Sequence, residues 1–291
     1  MHLFDTLVKP ILEYGCEVWM KDNKLGKFEV FERNFLKSIL GIRKQTPNLA
    51  VYGEFGRTPI SFKLKEKAIK YFLRLQNLPL DSIIKKAFYT SMHLHDLGFN
   101  TWFTRIEKII KECNLEFLIN LQNPPKLTPA LKYTIKKALT NKYKSEWAEQ
   151  MSQGGSKITT YALFKLNLAY ESYINLHQSK YRTAIARFRT GSHNLEVERG
   201  RHARPIIPKE NRTCRQCPNI NNKIEDEIHH LIDCPAFSTL RKPLLDAIIS
   251  IHPTFANKNS QEKFTTVLTC KSKDILVLLG KFLVSSDKAR V

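Results

Sequence analysis

Apolar residues recur at helical spacing along most of the chain. Residues 26–42 place Phe28, Phe31, Phe35, Leu36, Ile39 and Leu40 on one amphipathic stripe. Three Thr-Pro pairs follow, Thr46-Pro47, Thr58-Pro59 and Thr128-Pro129. A hydroxyl that can cap, placed before a proline that suits the first helical position, predicts helices starting near 47, 59 and 129. The helix from 59 would bury Phe62, Ile69, Phe72 and Leu73 and turn Lys63, Lys65 and Lys67 outward. Residues 101–121 predict another, apolar at Trp102, Ile106, Ile109 and Ile110, and Asn123-Pro124-Pro125 breaks it. Gly154-Gly155 is a second break. Residues 157–177, rich in Tyr, Thr, Leu and Ile, fit helix or strand, and helix is favoured. Residues 180–190 read as a short basic helix stopped by Gly191. Residues 205–235 are turn-rich, and helices resume after Pro235 and near 261–284. The pattern predicts a mainly α-helical chain with one small loop-rich element.

Composition allows this. Of 291 residues 42% are apolar, enough for a core, and the 11 glycines are too few for a low-complexity or collagen-like chain. The longest apolar stretch, around 275–279, is too short to cross a bilayer. Asp5, Lys9 and Glu13 stand where an export signal would be apolar. The expectation is therefore an intracellular chain, nuclear or cytoplasmic, that is neither secreted nor membrane-bound. Its six cysteines then read as thiols or metal ligands rather than disulfides.

Charge changes the picture further. The 47 Lys and Arg outnumber 27 Asp and Glu, a net +20. Residues 178–215 carry ten of the cations: Lys180, Arg182, Arg187, Arg189, Arg199, Arg201, Arg204, Lys209, Arg212 and Arg215. Only Glu196, Glu198 and Glu210 oppose them. Eight of the ten are Arg, whose planar fork grips phosphate in two places. An Arg-weighted stripe of this kind reads as a footprint for the backbone of RNA or DNA. Phe188 shares a helical face with Tyr181 and Ile185, which places it in the core rather than against a base.

The sharpest local signal is Cys214-Arg-Gln-Cys217, followed by His229-His230 and Cys234. Zinc takes four soft or borderline ligands as a tetrahedron, and three thiolates with one imidazole is a common structural set. Two cysteines three apart reach one ion from a tight turn. Pro218 and Asn219–Asn222 suit the loop that follows. Either His229 or His230 completes the set, and His229 is preferred. Glu225, Asp226 or Glu227 would orient the imidazole. The expected ligands are Cys214, Cys217, His229 and Cys234. A closed four-ligand site leaves no position for water, so the zinc would be structural. Elsewhere, His93 and His95 share a face only in an extended strand. Cys16, Cys113 and Cys270 read as core thiols. Asn211-Arg-Thr213 matches a glycosylation sequon that an unexported chain would not use. No phosphate-binding glycine loop, G-x-S-x-G or H-E-x-x-H is present.

Several blocks, in order, resemble the C-terminal part of the reverse-transcriptase polyprotein of non-LTR (LINE-type) retrotransposons. Leu3-Phe-Asp-Thr-Leu-Val-Lys-Pro-Ile-Leu-Glu-Tyr-Gly-Cys-Glu-Val-Trp19 is similar to the segment where the thumb begins. Phe35-Leu-Lys-Ser-Ile-Leu-Gly-Ile42 and Val51-Tyr-Gly-Glu-Phe-Gly-Arg-Thr-Pro-Ile60 are similar to the blocks after it. Tyr181-Arg-Thr-Ala-Ile-Ala-Arg-Phe-Arg-Thr-Gly-Ser-His-Asn-Leu195 and Glu198-Arg-Gly-Arg201 resemble the run into the family's cysteine motif. Glu227-Ile-His-His-Leu-Ile-Asp-Cys-Pro235 looks like that motif's end. The resemblance covers roughly 3–240.

It implies a thumb-like helical region over 1–125, a basic helical connector over 126–204, a zinc-binding element over 205–240 and a helical tail over 241–291. Polymerases of that family hold catalytic magnesium on paired aspartates, and this chain has no Asp-Asp pair. Only 57 residues follow Cys234, and Asp246 and Asp274 lack the spacing of a nuclease triad. The expectation is thus a non-catalytic fragment that grips RNA template or target DNA. Arg182, Arg187, Arg189, Arg199, Arg201 and Arg204 would touch phosphates, and the zinc would brace them. Two alternatives stand beside it. The chain is the C-terminal portion of an active RNA-directed DNA polymerase whose palm lies upstream, or it is an inert remnant or protein-docking scaffold.

Overall fold

A computed structural model describes residues 2–19, 22–155, 157–217 and 223–290. The chain is mainly helical. Its longer helices are α1 Asp22–Leu40, α2 Asn48–Phe55, α3 Ile60–Gln76, α4 Ile83–Asp96, α5 Trp102–Glu112 and α6 Pro129–Gln153. They continue as α7 Thr159–Phe164, α8 Ser179–Arg189, α9 Glu196–His202, α10 Ser238–Ile251, α11 Ser260–Thr269 and α12 Lys273–Ala289. Short helical turns lie between them. Among the described residues β pairing is limited to two isolated bridges, Phe55 with Tyr170 and Thr213 with Ile224. The chain divides into two compact units, Met1–Glu32 with Thr58–Trp147, and Arg33–Arg57 with Ala148–Val291.

In the first unit α3 is the central element. It buries Leu64, Ile69, Phe72 and Leu73 against Phe88 of α4 and against Phe103, Ile106 and Ile110 of α5. Helix α5 is the most sharply two-faced, and Thr101 opens it with a capping box closed by Thr104. The helices at 47, 59 and 129 start where the Thr-Pro pairs predict, but only Thr128 acts as a cap, accepting from the Leu131 N–H at 3.2 Å. At α3 the cap comes from far away. The buried Glu32 carboxylate accepts from the Ile60 N–H at 2.8 Å, and Glu29 accepts from the Ser61 hydroxyl. A carboxylate at a helix N-terminus satisfies an orphan donor and complements the dipole, so it displaces the weaker threonine. His93 and His95 lie on α4, which rules out the extended arrangement. His95 bonds Thr104 instead, at 3.0 Å.

In the second unit α8 and α12 pack closely. Contact is possible because Gly280 faces Tyr181: a Cβ at 280 would overlap the Tyr181 side chain. The core around them holds Ile185, Phe188, Phe264, Leu279, Phe282 and Leu283. Phe188 is buried, as its helical face predicts. Two expectations are corrected here. Residues 157–177 are mostly irregular, with only α7 and a short turn at Ser172–Asn175. The reason is Gly56, whose left-handed conformation lets Ala169 and Tyr170 run across the end of α2 as an extended bridge. The 101–121 helix stops at Glu112, where Asn114 turns left-handed.

Candidate metal centre

Three short segments of the second unit build the centre. The bridge between Thr213 and Ile224 clamps the base of a loop, with the Cys214 N–H bonded to Lys223 O at 2.9 Å and the Glu225 N–H to Arg212 O at 2.8 Å. That presents Cys214 and Cys217 from a tight turn. Pro218 and Asn219–Asn222 lie outside the described residues. The third segment, His229–Asp233, is a single π-helical turn closed by the Cys234 N–H on His229 O at 2.7 Å. This wider turn brings positions 229 and 234 to one side, which an α-turn would not do. Asp226 caps it, its carboxylate accepting from the His229 N–H at 2.8 Å. Buried Arg241 donates to the Cys234 carbonyl.

The result is a buried cluster of Cys214, Cys217, His229 and Cys234 whose ligand atoms all lie within 4.8 Å of one another. The Cys217 Sγ to His229 Nε2 distance is 3.3 Å, and Cys214 Sγ to Cys234 Sγ is 3.9 Å. Tetrahedral zinc with ordinary bond lengths would place two sulfurs about 3.8 Å apart and a sulfur and an imidazole nitrogen about 3.6 Å apart. These two spacings match to a few tenths of an ångström. The cluster can hold a metal ion, and it takes His229. His230 points elsewhere, its Nε2 3.0 Å from Ser286 Oγ among Phe188, Phe237 and Phe282.

The thiols are electrostatically unlike. Burial pushes Cys214 up, but hydrogen bonds from His229 and the Gln216 backbone outweigh it and bring the thiol down to about 7. Burial and the neighbouring sulfur of Cys214 push Cys217 up to about 12. A cluster with one easily formed thiolate is ready for a cation, which would then hold the remaining ligands deprotonated.

The expected carboxylate orienting the imidazole is corrected. Among the described residues, Glu225, Asp226 and Glu227 serve other donors. Glu225 accepts from the Glu196 N–H at 2.8 Å and from Arg290 at 2.7 Å. Glu227 meets His193 at 3.0 Å, and although burial pushes its carboxyl up, His193 outweighs this and lowers it. Glu225 ties the Cys214–Cys217 loop to α9 and to the end of α12, Glu227 ties it to His193, and Asp226 caps the turn at 229–233.

The six basic residues expected at phosphate separate into groups. Arg187, Arg199 and Arg204 are exposed. Arg187 donates to Gly41 O at 2.7 Å, and Arg199 pairs with Glu196 at 3.1 Å. Arg182 and Arg201 are half-buried, bonded to Leu176 O at 3.0 Å and to Glu198 respectively. Arg189 is a correction. It is 5% exposed and holds Glu54 with two bonds, at 2.8 and 3.0 Å. A third donor reaches Leu268 O at 2.6 Å, and the guanidinium lies over Phe164. It is a core residue that cannot reach a phosphate. Sequence reasoning also missed Arg241, whose contact with Cys234 O has no local signal, and Arg43, Lys288 and Arg290, which stand beside Arg187 only in the fold.

Among the described residues no helix is long and apolar enough to cross a membrane. No family model, curated protein or solved structure matches the chain significantly.

Proposed function

We propose that the chain is a non-catalytic nucleic-acid-binding module of retrotransposon reverse-transcriptase origin, braced by a structural zinc ion. The observation that carries this reading is the cluster itself: four buried donors within 4.8 Å of one another, two pairs of them at 3.9 and 3.3 Å. Three thiolates and one imidazole suit zinc best among common divalent ions, and four protein ligands leave no place for a reacting water. Cys214, Cys217, His229 and Cys234 would hold the ion, which would cross-link the loop at 212–217 to the turn at 229–234.

The partner class rests on charge and on the resemblance of the ordered blocks between 3 and 240. The net +20 favours a polyanion. Arg187, Arg199 and Arg204 are the exposed members of the Arg-rich stripe, and Arg182 and Arg201 are half-buried. Backbone contact of this kind gives salt-steep, weakly sequence-specific binding. The test is a fluorescence-anisotropy titration of labelled RNA hairpin and duplex DNA across a salt series, with zinc content measured on the same protein. Arg187→Glu with Arg199→Glu should weaken binding to both and flatten the salt slope. Equal binding by that variant removes the proposal.

One observation favours a second reading, in which the chain docks a protein. Leu3, Leu7, Ile11, Tyr14 and Val18 are each more than 60% exposed and recur every three or four residues. A stripe of that size predicts concentration-dependent self-association in gel filtration, which the nucleic-acid reading does not.

A further inference from the structure

Wholly within the second unit lies a cavity of about 630 Å³, in the size range of small-molecule sites. Its lining is two-faced. Ile42, Phe188, Leu195, Leu283 and Val284 form an apolar wall. Arg43, Lys180, Arg187 and Lys288 approach from three separate parts of the chain, and among the described lining residues Asp287 is the sole carboxylate. Among the described residues no acid is paired with these four cations. Arg43 bonds the Asn194 amide and Arg187 the Gly41 carbonyl, while Lys180 and Lys288 are exposed. Arg290 also lines the cavity but is already paired with Glu225. The eleven-residue helix α8 begins at the rim. Ser179 and Lys180 of its first turn line the cavity, and Gln178 supplies no side-chain cap, so its N-terminal dipole adds to the positive field.

Four such cations around a concave apolar wall repel one another, and a dianion with a flat apolar body would relieve that repulsion. We propose that this cavity binds a phosphate ester of mononucleotide size, with the phosphate on Arg43, Lys180, Arg187 and Lys288 and the base along the Ile42–Phe188–Leu283 wall. The nucleotide is either free or one unit of a single strand. The strand form rests on the nucleic-acid reading above, and the free form does not.

The probes are adenosine monophosphate, adenosine, inorganic phosphate and a single-stranded adenosine octamer, titrated into the full chain by calorimetry. The expected result is one saturable site for the monophosphate, with adenosine and inorganic phosphate each at least about tenfold weaker, because each lacks half of the contacts. Lys180→Gln with Lys288→Gln, both at exposed positions, should weaken the monophosphate by about tenfold or more. Ala184→Trp, which fills the cavity without changing charge, should abolish it. An octamer that binds more tightly than the monophosphate and fails in Ala184→Trp makes the strand the source. An octamer no tighter makes it the free nucleotide. No saturable monophosphate binding, inorganic phosphate binding as tightly, or undiminished binding by Lys180→Gln with Lys288→Gln overturns the proposal. Hairpin and duplex binding that persists after such a failure leaves the nucleic-acid reading intact. Monophosphate binding without any strand affinity does the reverse.

Discussion

Arg189→Met separates a buried structural arginine from a phosphate contact. In the folded chain the guanidinium neutralises Glu54, which has no solvent exposure, and also meets Glu171 at 3.2 Å. Removing it leaves Glu54 with the Tyr161 hydroxyl, 2.9 Å away, and no bidentate cation. Breaking a buried pair from one side costs about 3–5 kcal/mol, because the remaining charge is uncompensated. At about 2–4 °C per kcal/mol for a unit of this size, the melting temperature should fall by about 6–20 °C. The double variant Glu54→Gln, Arg189→Met should recover much of that loss, since no charge is then stranded. The pH dependence has a definite sign. Burial alone would raise the Glu54 carboxyl, but Arg189 outweighs it and holds the group below its ordinary 4.5. A depressed carboxylate contributes stability that is present above 4.5 and lost as pH falls through the lower folded value. The gap between wild type and Arg189→Met should therefore be widest at neutral pH and narrow below 4.5. Thermal melts followed by circular dichroism from pH 3 to pH 8 measure the wild type and both variants. A change below about 1 kcal/mol, typical of an exposed pair, together with lost nucleic-acid affinity, would refute the burial argument and restore Arg189 to the phosphate footprint.

Four further outcomes are expected. Gly280→Ala should cost about 1–3 kcal/mol in chemical denaturation, since the new methyl overlaps Tyr181 where α8 meets α12. Arg187→Gln should lower the salt slope of nucleic-acid binding by about one, while folded Arg189→Met leaves it unchanged. Asn259→Ala should cost about 0.5–2 kcal/mol, because Asn259 and Glu262 cap α11 reciprocally at 2.9 and 3.0 Å. Cys16, fully buried and pushed up to about 12 by burial and by Glu17, should resist alkylation at pH 8 in the native protein, whereas half-buried Cys270 reacts before it.

The cluster of Cys214, Cys217, His229 and Cys234 was legible in the sequence because chelation is a local demand. Two cysteines three apart and a histidine five before a third can satisfy one ion with only a turn between them. The choice between His229 and His230 needed the π-turn, which no spacing encodes. Helix starts were legible at the Thr-Pro pairs, but the capping partner at Ile60 was not, since Glu32 lies 28 positions away. Arg189 was misread for a related reason. Arginine on a basic helix normally faces water, and its burial follows from Glu54, 135 residues earlier. The irregular stretch at 157–177 carries helix-compatible residues, and its path is set instead by the bare backbone at Gly56.

Zinc stoichiometry and nucleic-acid affinity measured together on one preparation bear most directly on a metal-braced nucleic-acid module. The full chain and a Cys214→Ser, Cys217→Ser variant would be assayed for bound zinc and titrated against labelled RNA hairpin and duplex DNA at several salt concentrations. One zinc per wild-type chain, none in the variant, and salt-steep binding that weakens with loss of the metal is the expected result. A wild-type chain that binds nucleic acid equally well with and without zinc, or that holds zinc and binds nothing at low salt, would contradict it.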